Sequence, residues 1–234
     1  MSVGPPAVDA ATATMISLIG SLADNKGALG RRYGEWAVSA PTIESAVAAA
    51  AMAQDELGHA RSTYPVLAKL GVERDDEGLD AGHPLRALEH ELPDWASFIA
   101  ANLVIDGILT TFVATARASS IEPLAQRARK ILQEEGAHRV HAEAWLRRMC
   151  RSGSDRDVLL RRIEEMWIEA ARWPGPSEHP GYAAAVGEGM VAEGPDAVRG
   201  RVRDWLRGLL AGEQARVTLE DPSDWSGWDE RQRR

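Results

Sequence analysis

Two copies of the pattern Glu-x-x-His constrain the fold of this chain more than any other feature of its sequence. The first runs from Glu56 to His59 and the second from Glu135 to His138. Residues three apart lie on adjacent turns of one helix face, so each motif presents a carboxylate beside an imidazole. Helical bundles that hold two metal ions combine two such helices with one carboxylate from each of two further helices. The sequence therefore predicts an all-α bundle with a metal site in its core.

The rest of the 234 residues agrees with an all-α fold. Runs with period-two alternation are absent, and helix-forming residues dominate. We predict one bundle domain at residues 1–220 and an extended tail at 221–234. Thr42 is expected to cap a helix, and Pro93 and Pro123 to stand in the first turns of two others. The predicted helices are 8–38, 42–70, 93–118, 123–150, 156–172 and 195–212, with a loop at 174–194.

The composition excludes several classes of function. A net charge of −8 argues against a nucleic-acid binder, which would carry a basic face. The single cysteine, Cys150, rules out a disulfide framework and argues against a thiolate metal site. The longest apolar run that we identify, 46–53, is too short to span a membrane, and we find no secretion signal. We expect a soluble, cytoplasmic protein without nucleic-acid or membrane partners.

Symmetry about a hairpin turn identifies a further acid. The turn between the helices predicted at 93–118 and 123–150 is centred near Ser120, and reflecting Glu135 through it reaches about residue 106. Asp106 stands there in an apolar stretch, where an unpaired carboxylate is costly to bury. We predict that Asp106 is a metal ligand. The alternative is a buried aspartate that is hydrogen-bonded to a serine or threonine.

The same reflection in the first hairpin reaches a lysine. Glu56, reflected through the turn that precedes Thr42, falls level with about residue 25 or 26, which are Asn25 and Lys26. Glu35 lies too close to this turn, because roughly 15 Å along the helix axis separates it from the level of Glu56. Lys26 therefore stands where a regular bundle would supply its sixth ligand.

Three roles are open to Lys26. It could pair with Glu56 or Glu135 in place of one metal ion, it could point to solvent, or it could be a catalytic amine whose pKa is lowered by burial. A kink in the first helix near Gly27 would instead bring Asp24 into the core.

The predicted site thus has five candidate metal ligands and one candidate catalytic residue, Lys26. Carboxylates and imidazoles suit iron, with manganese as an alternative, and we expect one or two ions per chain. The candidate ligands are Glu56, His59, Asp106, Glu135 and His138.

Several runs resemble the ferritin-like subunits of bacterial ring-1,2-phenylacetyl-CoA epoxidase. Residues 54–61, QDELGHAR, followed by Tyr64, are similar to a motif of the catalytic subunit. Residues 34–41 and 134–148, together with the closing helix, are similar to the structural subunit. The likeness extends over about residues 15–220.

This resemblance implies a ferritin-like four-helix bundle core with additional C-terminal helices. In the family's catalytic subunit a di-iron centre activates O₂ and epoxidises the ring of an aromatic acyl-CoA. The structural subunit has lost most of the ligands and performs no chemistry. This chain combines the layout of the structural subunit with five ligands of the catalytic one, and Lys26 takes the place of the first-helix glutamate.

Two functions are consistent with this combination. The first is a non-haem iron oxygenase or oxidase that acts with O₂ on an acyl-CoA or another small organic acid. It would receive electrons from a separate reductase and form a homodimer or a heteromer with another ferritin-like subunit. The second is a non-catalytic partner subunit of a di-iron monooxygenase, in which Lys26 pairs with the core carboxylates. The metal content of the purified protein distinguishes the two.

Overall fold

The computed structural model describes residues 8–75 and 82–234, and all regular secondary structure within them is helical. Residues 1–7, at the start of the predicted domain, lie outside this part of the chain. The helices are α1 Ala10–Trp36, α2 Ile43–Ser62, α3 Tyr64–Lys69, α4 Trp95–Thr115, α5 Glu122–Met149, α6 Gly153–Ala170, α7 Pro180–Gly187 and α8 Pro195–Gly212. The four long helices α1, α2, α4 and α5 form the bundle, α6 and α8 pack on α4, and α7 packs on α1. The all-α, ferritin-like prediction is confirmed.

Side-chain caps fix where two of the bundle helices begin. The Thr42 hydroxyl accepts a hydrogen bond from the Ser45 N–H at 3.2 Å, which confirms the predicted cap of α2. In α4 the cap is Asp94, whose carboxylate accepts from the Ser97 N–H at 2.7 Å. Pro93 therefore precedes the cap, and the prediction that it stands in the first turn is wrong.

Two predicted boundaries fail because of proline. The helix predicted at 42–70 breaks at Thr63, since Pro65 has no N–H to continue the hydrogen-bond ladder, and a new helix starts there. The loop predicted at 174–194 contains α7, in which Pro180 occupies the first turn. Gly181 allows α7 to lie close to α1, because a Cβ atom there would come within 2.7 Å of the Ala10 carbonyl oxygen.

Helix α4 is the central element of the core. It is long and apolar enough to cross a membrane by length and composition, but 78% of its apolar window is buried inside the protein. The longest apolar segment is therefore this helix and not 46–53. Its middle turn, Ala101–Asp106, is a π-helix.

Helix α1 is continuous, and the kink considered near Gly27 does not occur. Gly30 instead permits close packing on α2. A Cβ atom at this position would lie 2.8 Å from Leu57 Cγ and 3.0 Å from the Ala53 carbonyl oxygen. This close approach places Lys26, one turn earlier on α1, against the interior of the bundle.

Residues 213–234 pass back over the ends of the helices without forming a helix. Arg233 is fully buried near the end of this segment, and its guanidinium donates at 2.7 Å to the carbonyl oxygens of Trp173 and Pro174. Leu219 is buried in the main core. The segment is thus packed against the bundle.

Candidate metal centre

Lys26 lies among three carboxylates, one from each of the other bundle helices. Its Nζ is 3.1 Å from Glu56 Oε2 on α2 and 2.5 Å from Asp106 Oδ1 on α4, and it also donates to Glu135 on α5. All four side chains are at most 5% exposed. The four helices therefore converge at the level that the hairpin reflections indicate.

Both motif histidines direct Nδ1 into this cluster. His59 Nδ1 lies 3.2 Å from Glu135 Oε1, and His138 Nδ1 lies 3.3 Å from Glu56 Oε1. These contacts lack the geometry of hydrogen bonds, so both buried Nδ1 atoms have no hydrogen-bond partner among the described residues. An orphaned imidazole nitrogen that faces carboxylates is typical of a metal ligand without its metal.

The outer nitrogens of the same rings are held by two further acids. His59 Nε2 is 2.9 Å from Glu134 Oε2, and His138 Nε2 is 3.2 Å from Asp55 Oδ2. Each acid directly precedes the glutamate of one motif and contacts the histidine of the other. Such contacts fix the ring orientation and leave Nδ1 for the centre. Neither acid was among the predicted site residues, although an acid directly before each Glu-x-x-His is visible in the sequence.

The charge on Lys26 is strongly stabilised. Burial alone would lower its pKa, but the charges of Asp106, Glu135 and Glu56 raise the pKa of Lys26 well above its ordinary value. In the metal-free cluster this direction favours a charged ammonium over an amine with a lowered pKa, and the side chain of Lys26 is buried and does not point to solvent. For Asp106, burial and the charges of Glu135 and Glu56 raise the pKa to about 6.

The histidines are also charged in this cluster. Burial opposes this, but the nearby carboxylates of Glu135 and Glu56 raise the pKa of His59 to about 9. At His138 burial also lowers the pKa, but the nearby carboxylates of Asp106 and Glu135 outweigh it and raise the pKa of His138 to about 12. Three positive groups thus balance three carboxylates in the metal-free protein.

The cluster fits a divalent metal ion by its chemistry and its compactness. Ligand atoms of Glu56, Asp106, Glu135 and His138 all lie within 4.8 Å of one another, and all four residues are buried. His59 is not part of this group, but its Nδ1 lies 3.2 Å from Glu135 Oε1. Carboxylate oxygens and imidazole nitrogens are a donor set for iron or manganese.

Asp106 also takes part in a local hydrogen bond. The Thr110 hydroxyl donates to Asp106 Oδ1 at 3.2 Å, which is the contact expected of a buried aspartate without a metal. Asp106 ends the π-helical turn of α4, and such turns occur frequently at functional sites. No pattern in the sequence indicated this π-helical turn.

Other residues considered from the sequence lie elsewhere. Asp24 is buried but pairs with Arg74 and does not join the three carboxylates around Lys26. Glu35 pairs with Arg32 at 3.1 Å near the end of the bundle. His141 is half-buried, and its ring lies against those of Trp95 and Phe98.

A cavity of about 230 Å³ reaches the cluster from the side of α4, α5 and α8. It is bounded at the cluster by Asp106 and Glu135 and toward the surface by Trp205. Gly136 leaves this space open, since a Cβ atom there would meet nothing within 4 Å, whereas a Cβ atom at Gly107 would lie only 3.3 Å from the Trp205 ring. One glycine beside the motifs thus provides room, and the other provides helix packing.

Comparison with known proteins assigns the chain to a family. The model of the phenylacetic acid catabolic protein family matches residues 5–234. A search of curated proteins finds no match. The family supplies subunits of a di-iron oxygenase-type system in phenylacetate catabolism. Because the match covers almost the whole chain, this protein belongs to the phenylacetic acid catabolic protein family.

Proposed function

We propose that this protein is a non-haem iron oxygenase or oxidase that binds one iron ion per chain. The two histidines carry the proposal, because each is held by an outer carboxylate and directs an unbonded Nδ1 toward the three core carboxylates. Contacts of both outer nitrogens with Glu134 and Asp55 orient the rings in the way that is usual for histidines that bind a metal. The proposed ligands are Glu56, His59, Asp106, Glu135 and His138, and manganese is an alternative metal.

The charge of the site favours one ion over two. Three carboxylates and one ammonium leave a net charge of −2 when the histidines are neutral, which one divalent ion balances. A bundle with four carboxylates carries −4 and holds two such ions. In a buried site the net charge of the ligands determines how many metal ions bind, because an uncompensated charge is costly in a low dielectric. Lys26 thus replaces both the fourth carboxylate and one of the two metal ions.

Iron bound by carboxylates and imidazoles supplies the redox chemistry that activates O₂. The chain itself contributes the surroundings. Lys26 keeps a positive charge beside Asp106 and Glu135, the Thr110 hydroxyl orients Asp106, and the cavity admits a small substrate while the bundle keeps out bulk water. The substrate is a small organic acid or its acyl-CoA.

Electrons would come from a separate reductase, because one cysteine cannot hold an iron–sulfur cluster. The exposed side chains of Val47 on α2 and Val140 on α5 offer apolar surface to a second copy or to another ferritin-like subunit. We place the assembly in the cytoplasm.

Reaction with O₂ tests the proposal. Protein loaded with Fe(II) under anaerobic conditions is expected to consume O₂ and to lose its Fe(II) when mixed with aerated buffer, as followed with an oxygen electrode and a ferrous chelator. Glu135→Ala removes a central ligand and should abolish iron binding and this reaction. Glu122→Ala, an exposed change on the same helix, serves as the control. Iron-loaded protein that is inert to O₂ would contradict the assignment.

The outer carboxylates provide a second test. Asp55→Asn and Glu134→Gln should each weaken iron affinity by about 10–100-fold, because they loosen the histidine rings without removing a ligand. Competition with a metal chelator measures this change, with Glu122→Gln as the matched control. Unchanged affinity in both variants would mean that the histidines do not bind the metal.

A non-catalytic partner subunit is the second candidate function. It is favoured by the contacts of Lys26 Nζ with all three carboxylates, which stabilise the core without a metal. In that case the purified, iron-supplied chain would hold no metal and would bind a metal-containing ferritin-like subunit.

A further inference from the structure

A second opening leads to the metal centre, between α2 and α5. It is a groove of about 210 Å³ with Asp55, Gly58 and His59 on its α2 wall and Lys130 and Glu134 on its α5 wall. The groove shares no lining residue with the cavity between α4, α5 and α8. The centre is therefore approached from two separate sides.

The groove brings surface carboxylates, imidazoles and the core carboxylates together in series. The side chains of Asp55 and Glu134 are 39% and 34% exposed, whereas the imidazoles behind them are at most 3% exposed. Glu134 contacts His59 Nε2, and the other nitrogen of that ring lies 3.2 Å from Glu135 in the core. On this path one imidazole ring separates the groove from the core carboxylates.

We propose that the divalent metal ion enters the centre through this groove and that Asp55 and Glu134 are its first ligands. Carboxylate oxygens are suitable ligands for Fe(II) and Mn(II). An ion that binds Glu134 takes this carboxylate from His59, and the freed ring can turn and let the ion pass to the core. Asp55 and His138 provide the same pair of groups beside it. The inference rests on the proposed function, because the ion that enters is the one that this site binds.

The cavity on the other side is less suited to the entry of a metal ion. At its outer end the guanidinium of Arg139 stacks over the Trp205 ring at 4.4 Å and repels a cation. Glu143, the acid at this point, already accepts hydrogen bonds from Arg139, from Arg147 and from the indole N–H. The acids that a metal ion can bind first are therefore those of the groove.

The groove also contains two cations, Lys130 and Arg127, and both are exposed. Lys130 Nζ lies 3.8 Å from Glu134 Oε1 and its side chain is 65% exposed, so this ion pair is weak. An arriving metal ion can displace the ammonium into solvent. We expect these cations to slow the uptake of metal without preventing it.

Two matched glycine substitutions test the route. Gly58 lines the groove and Gly136 lines the cavity, and a Cβ atom at either position would meet nothing within 4 Å. Leucine fills the space and suits a helix better than glycine does, so both variants are expected to fold. Gly58→Leu should lower the rate of Co(II) uptake by metal-free protein at least about tenfold, while Gly136→Leu keeps the wild-type rate. Stopped-flow absorption of the bound Co(II) measures the rate, and equilibrium titration should give the wild-type affinity for both variants.

Removal of one groove cation provides a second measurement. Lys130→Gln should speed Co(II) uptake about twofold or more at low ionic strength, because it removes a charge that repels the ion, and this gain should disappear at high salt. Lys69→Gln is the control, because it removes the same charge from an exposed lysine outside the groove.

Three results would overturn the proposal. They are wild-type uptake in Gly58→Leu, slowing by Gly136→Leu that equals or exceeds the slowing by Gly58→Leu, and equal rates in Lys130→Gln and Lys69→Gln. Any of these in a protein that binds Co(II) contradicts the groove alone. Wild-type protein that binds no Co(II) contradicts the proposed metal site as well.

Discussion

Lys26→Glu is expected to raise the divalent metal content from one ion to two per chain. The change replaces an ammonium at the centre of three buried carboxylates by a fourth carboxylate, so the net charge available to metal moves from −2 to −4. The result is the ligand set of two-metal bundles, in which each of the four helices supplies a carboxylate. Elemental analysis after loading with Fe(II), alongside the wild type, measures this.

Metal should also stabilise this variant far more than the wild type. Without metal, four carboxylates repel one another in the core. Binding to the folded state alone then raises the melting temperature, and the increase grows with the logarithm of the affinity. Lys26→Gln, which removes the ammonium but adds no carboxylate, is the matched control and should not reach two ions. A Lys26→Glu protein that folds and still holds one ion or none would show that Lys26 does not determine the metal count.

Lys26→Met should destabilise the metal-free protein by about 3–5 kcal/mol. The substitution keeps an apolar chain of similar length but leaves Glu56, Asp106 and Glu135 without their central cation. Denaturant unfolding in the presence of a chelator gives the free energy of unfolding. Lys130→Met is the control, because Lys130 is 65% exposed in its pair with Glu134 and should contribute less than about 1 kcal/mol.

The comparison between these two lysines tests whether Lys26 is buried among the carboxylates and balances their charge. If both variants lost the same small amount of stability, Lys26 would not be buried among the carboxylates. A large loss at Lys26 alone supports its role as an internal counter-ion.

Much of the site could be predicted from spacing along the chain. The helix rise and the position of a turn are enough to align residues across a hairpin, and on this basis Asp106 was matched with Glu135 and Lys26 with Glu56. The repeated Glu-x-x-His motif fixed which helix faces point inward. These inferences need only regular helices, and α1, α2 and α5 are regular through the site.

Other features depend on contacts between helices and could not be read from one helix at a time. Asp55 and Glu134 act on the histidine of the opposite helix, so their role appears only once α2 and α5 are placed side by side. The sequence left three roles open for Lys26, and only the positions of all three carboxylates choose among them. The stacking of Arg139 on α5 over the Trp205 ring on α8 is likewise a contact between two helices.

The metal content of the wild-type, iron-supplied protein tests the central claim most directly. Elemental analysis is expected to find about one iron per chain, held by the carboxylates and histidines beside Lys26. A value near zero would contradict the iron site and favour the non-catalytic partner, and a value near two would contradict the role of Lys26 as a replacement for one metal ion.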